Sequence, residues 1–145
     1  MTEILVHQTE LISVWCDPER SLIRHCIHAY CHSDPIREAL NAGTDALIAH
    51  ECTIWLSDDR LNRPLTPEDA DWGKTQWFPR TRAAGWTHWA LVKPRQVVAQ
   101  LNIKQFVDYY HPLGVQAAVF TDLDEAETWV ESLQELPAKR PAMGR

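Results

Sequence analysis

Thr53-Ile54-Trp55-Leu56-Ser57-Asp58-Asp59-Arg60, followed by Thr66-Pro67-Glu68-Asp69 with Trp72 one turn inside, is the stretch that decides the fold. A short apolar run that ends in a polar tetrad and leads to a strong helix start is the unit of an open α/β sheet. Ligands of such sheets sit outside the carboxyl ends of the strands, so Ser57, Asp58, Asp59 and Arg60 mark a candidate rim. Thr66 suits an N-cap and Pro67 the first helical position. Asp69 stands three residues on, close to a capping box.

Upstream, residues 3–7, 11–16 and 20–28 predict strands. Asp17-Pro18-Glu19 supplies the second turn, with Pro fixing φ. Connections this short leave no room for crossovers, so the three strands pair antiparallel. Ser33-Asp34-Pro35 predicts a capped helix start, and Ile36, Ala39, Leu40, Gly43 and Leu47 recur at helical spacing to about His50. Downstream, Pro79 interrupts the helix opened at Thr66, as a kink or a break with a restart, and Gly85 ends it. Trp86–Val92 predicts strand five and Lys93-Pro94 its end. Residues 95–110 predict a helix with Val98, Leu101, Phe106 and Tyr109 on its apolar face. Val115–Phe120 predicts a buried strand six. Asp122 to Glu125 opens a last helix with Ala126, Trp129, Val130 and Leu133 on one face.

The predicted order is β-β-β-α-β-α-β-α-β-α. Helical crossovers join parallel strands, so the expectation is one α/β domain over residues 1–136 with a mixed sheet, an antiparallel meander followed by β-α units. Residues 137–145 are expected as a frayed tail.

Composition narrows the function classes. The chain has 145 residues, 45% hydrophobic, and a formal charge of −6. An acidic balance argues against nucleic acid and anionic membranes as partners. No apolar run approaches the roughly 18 residues of a membrane span, and the acidic start lacks the features of a signal peptide, so the cytoplasm is the expected compartment. The four cysteines, Cys16, Cys26, Cys31 and Cys52, are expected reduced there.

Trp55–Arg60, Thr66–Asp69, Gly85-Trp86 with Ala90-Leu91-Val92, and Asp122–Trp129 form a series that resembles small bacterial proteins of the STAS-like class, the SpoIIAA-like fold of anti-sigma factor antagonists. The resemblance spans most of residues 3–133. It implies a regulatory, protein-binding role. Anti-sigma factor antagonists carry a phosphorylatable serine in an Asp-Ser-x-Gly turn. The chain departs from that pattern, having Ser57 before the acidic pair and no glycine. Lipid or apolar-ligand binding is a second implication, by analogy with lipid-transfer proteins grouped with this class.

Chemistry-bearing residues are few. Asp58, Asp59, Lys93 and Asp122 stand at strand ends and could converge. A receiver would need a phosphoacceptor aspartate on a further strand, which is missing, and a Mg²⁺ site on Asp58 or Asp59 is a lesser reading than turn capping with pairing to Arg60 or Arg63. His25, Cys26, His28, Cys31 and His32 are the densest group of zinc-ligand types. Strand alternation points His25 away from Cys26 and His28, so these read as strand-surface histidines before a loop, and no metal or other cofactor is expected. Of seven tryptophans, Trp15, Trp55 and Trp129 read as core. Trp72, Trp77, Trp86 and Trp89 could line an aromatic pocket of several hundred Å³, within the roughly 300–1,000 Å³ of ligand sites. No nucleophile elbow, Walker loop, dinucleotide turn or zinc-protease motif is present. The first expectation is therefore a non-catalytic interaction or regulatory module that self-associates as a homodimer along its open sheet edge and meets an unidentified regulatory protein through Ser57, Asp58, Asp59, Arg60 and Lys93. The alternative is a binder of a small apolar ligand near Trp72, Trp77 and Trp86.

Overall fold

The computed structural model of the chain describes residues 3–143, apart from the side chains of Asn102 and of residues 135–143. Strands β1 (Ile4–Gln8), β2 (Ile12–Asp17) and β3 (Leu22–Ile27) form the antiparallel meander, with a 3₁₀ turn at Pro18–Arg20. Then follow α1 (Asp34–His50), β4 (Ile54–Asp58), α2 (Pro67–Trp72), a π-helical turn (Gly73–Trp77) and α3 (Phe78–Ala83). The chain continues through β5 (His88–Val92), α4 (Val97–Tyr110), β6 (Gln116–Phe120) and α5 (Leu123–Met143), which runs into the segment expected as a tail. Gly85 and Gly114, at φ 114° and 104°, turn the chain back into β5 and β6.

The sheet is mixed, and its six strands lie in sequence order, parallel from β3 to β6. Each crossover advances one strand in one direction. Crossovers share one hand, so α1, α2–α3 and α4 must lie on one face. Their buried residues Ile36, Leu47, Trp77, Phe78, Phe106 and Tyr110 indeed join one core with Ile23, Trp55 and Leu91 of the sheet. The last helix takes the other face, where Ala126 and Val130 pack on Leu22, Leu56, Ala90 and Val92.

Several details depart from the sequence reading. Strand β6 is an edge rather than a buried strand, and Val119 is 44% exposed. Helix α4 buries Ala99, Ile103, Phe106 and Tyr110, while Val98, Leu101 and Tyr109 are exposed. Apolar residues occur on more than one side of this helix, so spacing alone left its rotation open. Stacking of Tyr110 on Phe78, at 3.9 Å between ring centroids, settles it. Pro79 does not break the α2–α3 run, which continues from Pro67 to Ala83. Pro lacks the N–H that would bond back one turn, and the ladder widens just before it into the π turn. Trp15 is half-buried beneath the Arg24 guanidinium, 4.1 Å away, and Trp129 is half-buried beside His88 and Phe120.

Helix α1 approaches the sheet closely because Gly43 faces Trp55. A Cβ on Gly43 would stand 2.5 Å from the Trp55 ring, which is fully buried. Both groups lie between rigid elements, so neither yields cheaply. Gly43→Ala is expected to destabilise the fold by about 1–3 kcal/mol, although alanine favours the helix. Urea denaturation checks this, and an unchanged midpoint would refute it.

Candidate functional site

Alternation along β4 divides the polar tetrad between the faces of the sheet. Ser57 shares the helix-covered face with Trp55, while Asp58 shares the α5 face with Leu56. Asp58 is paired there with Arg60 by hydrogen bonds of 2.9 and 2.8 Å from Nε and Nη2. Asp59 leaves the strand end and returns to the helix side, where its Oδ1 meets His25 Nε2 at 2.8 Å. Asp58 and Asp59 therefore do not act as a couple. Lys93 stands on the same rim, but among the described residues it bonds only through its backbone N–H, to the Phe120 carbonyl, and it is not part of the cavity wall.

His25 is the residue that sequence reasoning missed. It is 5% exposed, not a surface histidine. Its parity with Ile23 and Ile27, both buried, was the available signal. The Trp55 indole N–H donates to His25 Nδ1 at 2.9 Å. An indole nitrogen is only a donor, so Nδ1 carries no proton. Nε2 carries it and donates it to Asp59. The imidazole is thus neutral, and the charge stays on the carboxylate. Both ring nitrogens are engaged, so His25 has no lone pair with which to take a proton from Ser57, its cross-strand partner on β4. The hydroxyl of Ser57 instead accepts from Trp89 Nε1 at 2.9 Å.

Above these groups lies a cavity of about 90 Å³, below the range expected for a drug-sized ligand. The sheet supplies His25, Ser57 and Trp89 as its floor. Ile36 and Leu40 of α1, Trp72, Gly73 and Trp77 of the α2–π run, and Ile103, Phe106 and Tyr110 of α4 wall it. Trp72 and Trp77 are five residues apart. A π turn closes i to i+5, so it brings both to one side, where an α-helix would splay them. Trp86 does not reach the cavity. It is 1% exposed, and its N–H donates to the His88 carbonyl at 3.0 Å.

Asp69 joins the walls together. Its N–H bonds to Thr66 Oγ1 at 3.1 Å, as expected of the cap. Its carboxylate does not complete a capping box. It reaches α1, accepting from the Ser33 N–H at 2.8 Å and from Arg37 Nε at 3.1 Å. Ser33 sits at φ 59° and makes no side-chain cap bond of its own, so Asp69 holds a strained backbone in place.

Three polar atoms on residues that line the cavity keep unused capacity. The Tyr110 hydroxyl, on a side chain 1% exposed, has no partner among the described residues. Burial pushes its ionisation well above the usual range, so it stays a neutral donor and acceptor. Asp59 Oδ2 accepts no bond among the described residues, and the Ser57 proton has no acceptor among them. The thiols offer less. Burial pushes Cys26 and Cys31 up to about 11 and Cys52 to about 12. His28 bonds to Ser13 and His32 to Ser33, and among the described residues no three metal-ligand side chains gather.

Comparison with protein-family models, with curated proteins and with solved structures finds no match.

On the far face, burial alone would raise Asp58, but the hydrogen bonds and charge of Arg60 outweigh it and hold the carboxyl below its usual 3.8. A depressed carboxyl contributes stability that is complete above 3.8 and is lost as pH falls through the folded value. Asp58 is 6% exposed and Arg60 31%, so solvent screens part of the pair. Arg60→Met is expected to cost about 1–3 kcal/mol at neutral pH and to lift Asp58 above its usual value. Stability of the variant then rises, rather than falls, as pH drops towards 3.8. Urea denaturation across that window checks the sign, and parallel profiles would refute it.

Proposed function

We propose that this chain is a non-catalytic small-ligand-binding domain that takes a compact, mostly apolar molecule between the sheet and helices α1, α2 and α4. The observation that carries the reading is the buried Tyr110 hydroxyl in an aromatic wall, without a partner among the described residues. Nearly all buried polar groups in folded proteins have a partner, and a bound ligand that moves the wall slightly aside supplies the missing one. Apolar walls with a few convergent polar groups are the usual form of such sites. The engagement of both His25 nitrogens supports binding over nucleophilic chemistry. A STAS-like relationship remains part of this proposal, supported by the meander joined to one-directional β-α units. So does a cytoplasmic setting. Among the described residues, no helix is long and apolar enough to cross a membrane.

The test uses Gly73, which is helical at φ −60°. A Cβ there would meet the Tyr110 hydroxyl at 3.6 Å and Phe106 Cε1 at 3.9 Å, both ordinary contacts. Gly73→Ala is therefore expected to stabilise the fold by about 0.5–1 kcal/mol while filling the space beside Tyr110. Compact fragments that shift the Trp72, Trp77 and Trp89 indole NMR signals of the parent protein should lose at least about tenfold in affinity for the variant, about 1.4 kcal/mol. Equal binding by both proteins, or no fragment that shifts those signals, would sink the reading.

A regulatory role through self-association is a second reading. It is supported by Ile4 and Leu5, 44% and 51% exposed on the open edge strand β1. A bulge between Leu5 and His7 interrupts that edge, and bulges blunt pairing. Sedimentation showing a dimer that Leu5→Lys dissolves supports this reading, and a monomer at all concentrations ends it.

A further inference from the structure

The charges around the cavity say which compact molecule it suits, an inference that rests on the ligand-binding reading above. Asp69 is matched by Arg37 and the Ser33 N–H. Arg63 also lines the cavity, but on its exposed side, its guanidinium 5.7 Å over the Tyr30 ring, where water screens it. Asp59 differs. Its carboxylate's one partner among the described residues, His25, is held neutral by Trp55, and no Lys or Arg among them is paired with it. The rings of Trp72, Trp77, Trp89, Phe106 and Tyr110 line the same cavity.

Each ligand class meets this differently. An anion would be desolvated beside Asp59 with no opposite charge at the floor, which is strongly unfavourable. A neutral molecule would fill the space but strip water from a carboxylate that keeps a single hydrogen bond. A cation gains on both counts: aromatic faces attract it, and an ammonium N–H has Asp59 Oδ2 and the Tyr110 oxygen as free acceptors. Size sets the other limit. A cavity of roughly 150 Å³ admits benzene, so about 90 Å³ admits a group of about four heavy atoms.

We propose that the cavity is a selective site for a compact alkylammonium group, its nitrogen against Asp59 and its alkyl carbons among Trp72, Trp77 and Trp89.

The experiment titrates the full chain with isopropylammonium and with propan-2-ol, a neutral molecule of the same shape, reading the indole N–H signals by NMR. The Trp72, Trp77 and Trp89 signals should move with isopropylammonium while that of Trp15, outside the cavity, stays still. The amine should bind at least about tenfold more tightly than the alcohol. Asp59→Asn should bring that ratio below about twofold, and Tyr110→Phe, which preserves the ring stack, should weaken the amine several-fold. If Asp59→Asn does not fold, the amine-to-alcohol ratio in the parent and the Tyr110→Phe result decide. Equal binding of amine and alcohol at these indoles overturns the charge selectivity and leaves the ligand-binding reading standing. Movement of none of the three indoles by either compound overturns both.

Discussion

An indole N–H can give a hydrogen bond but cannot take one, and in this protein the site follows from where Trp55 gives its own. The ring of Trp55 lies in the core, edge-on to Trp77 with centroids 5.2 Å apart, and under Gly43 of α1. Its N–H is spent on His25. That single donation fixes the imidazole proton on the other nitrogen, commits it to Asp59, and leaves a half-buried carboxylate opposite a neutral partner. The glycine in α1 and the carboxylate at the rim are thus linked through one ring. Without the close approach at Gly43, Trp55 would not sit where its nitrogen reaches β3.

Topology explains why a cavity forms here. In doubly wound sheets the crevice opens where strand order reverses. This sheet never reverses, so no helices diverge to opposite faces between neighbouring strands. Space arises instead because a π turn inserted between α2 and α3 changes the helical phase. It turns Trp72, Gly73 and Trp77 together towards the sheet, and Gly73 contributes no side chain to fill the gap beside Tyr110. Asp69 then ties the start of α1 to α2 across the rim, so the walls are fixed to each other as well as to the floor.

Element order, the antiparallel-to-parallel change and the Thr66 and Asp122 caps were legible in the sequence because they depend on local signals: short turns, capping side chains and period-two or helical spacing. The rim itself was also legible, since β4 ends where its apolar run ends. What was not legible depends on partners distant in the chain. Two adjacent aspartates look like a couple until alternation sends one to Arg60 and the other to His25. His25 looked superficial because its neighbours Cys26 and His28 drew it into a ligand-like cluster, although its parity with Ile23 and Ile27 pointed inward. The rotation of α4 followed from a ring stack on Phe78, and the pairing of Trp72 with Trp77 followed from a π turn that a 3.6-residue period cannot represent.

The cavity carries an energetic cost that a packed core would not. At about 24 cal/mol per Å³, about 90 Å³ kept dry corresponds to about 2 kcal/mol. An unpartnered buried hydroxyl adds about 1–3 kcal/mol. Single small changes would lower both, a methyl at position 73 reducing the first and a phenylalanine at position 110 removing the second, with no rearrangement of the fold. The two costs are comparable to a substantial share of the 5–15 kcal/mol that holds a domain together. A bound molecule that fills the space and pairs with the Tyr110 hydroxyl would recover them on binding, so the same residues that weaken the empty protein would strengthen the occupied one.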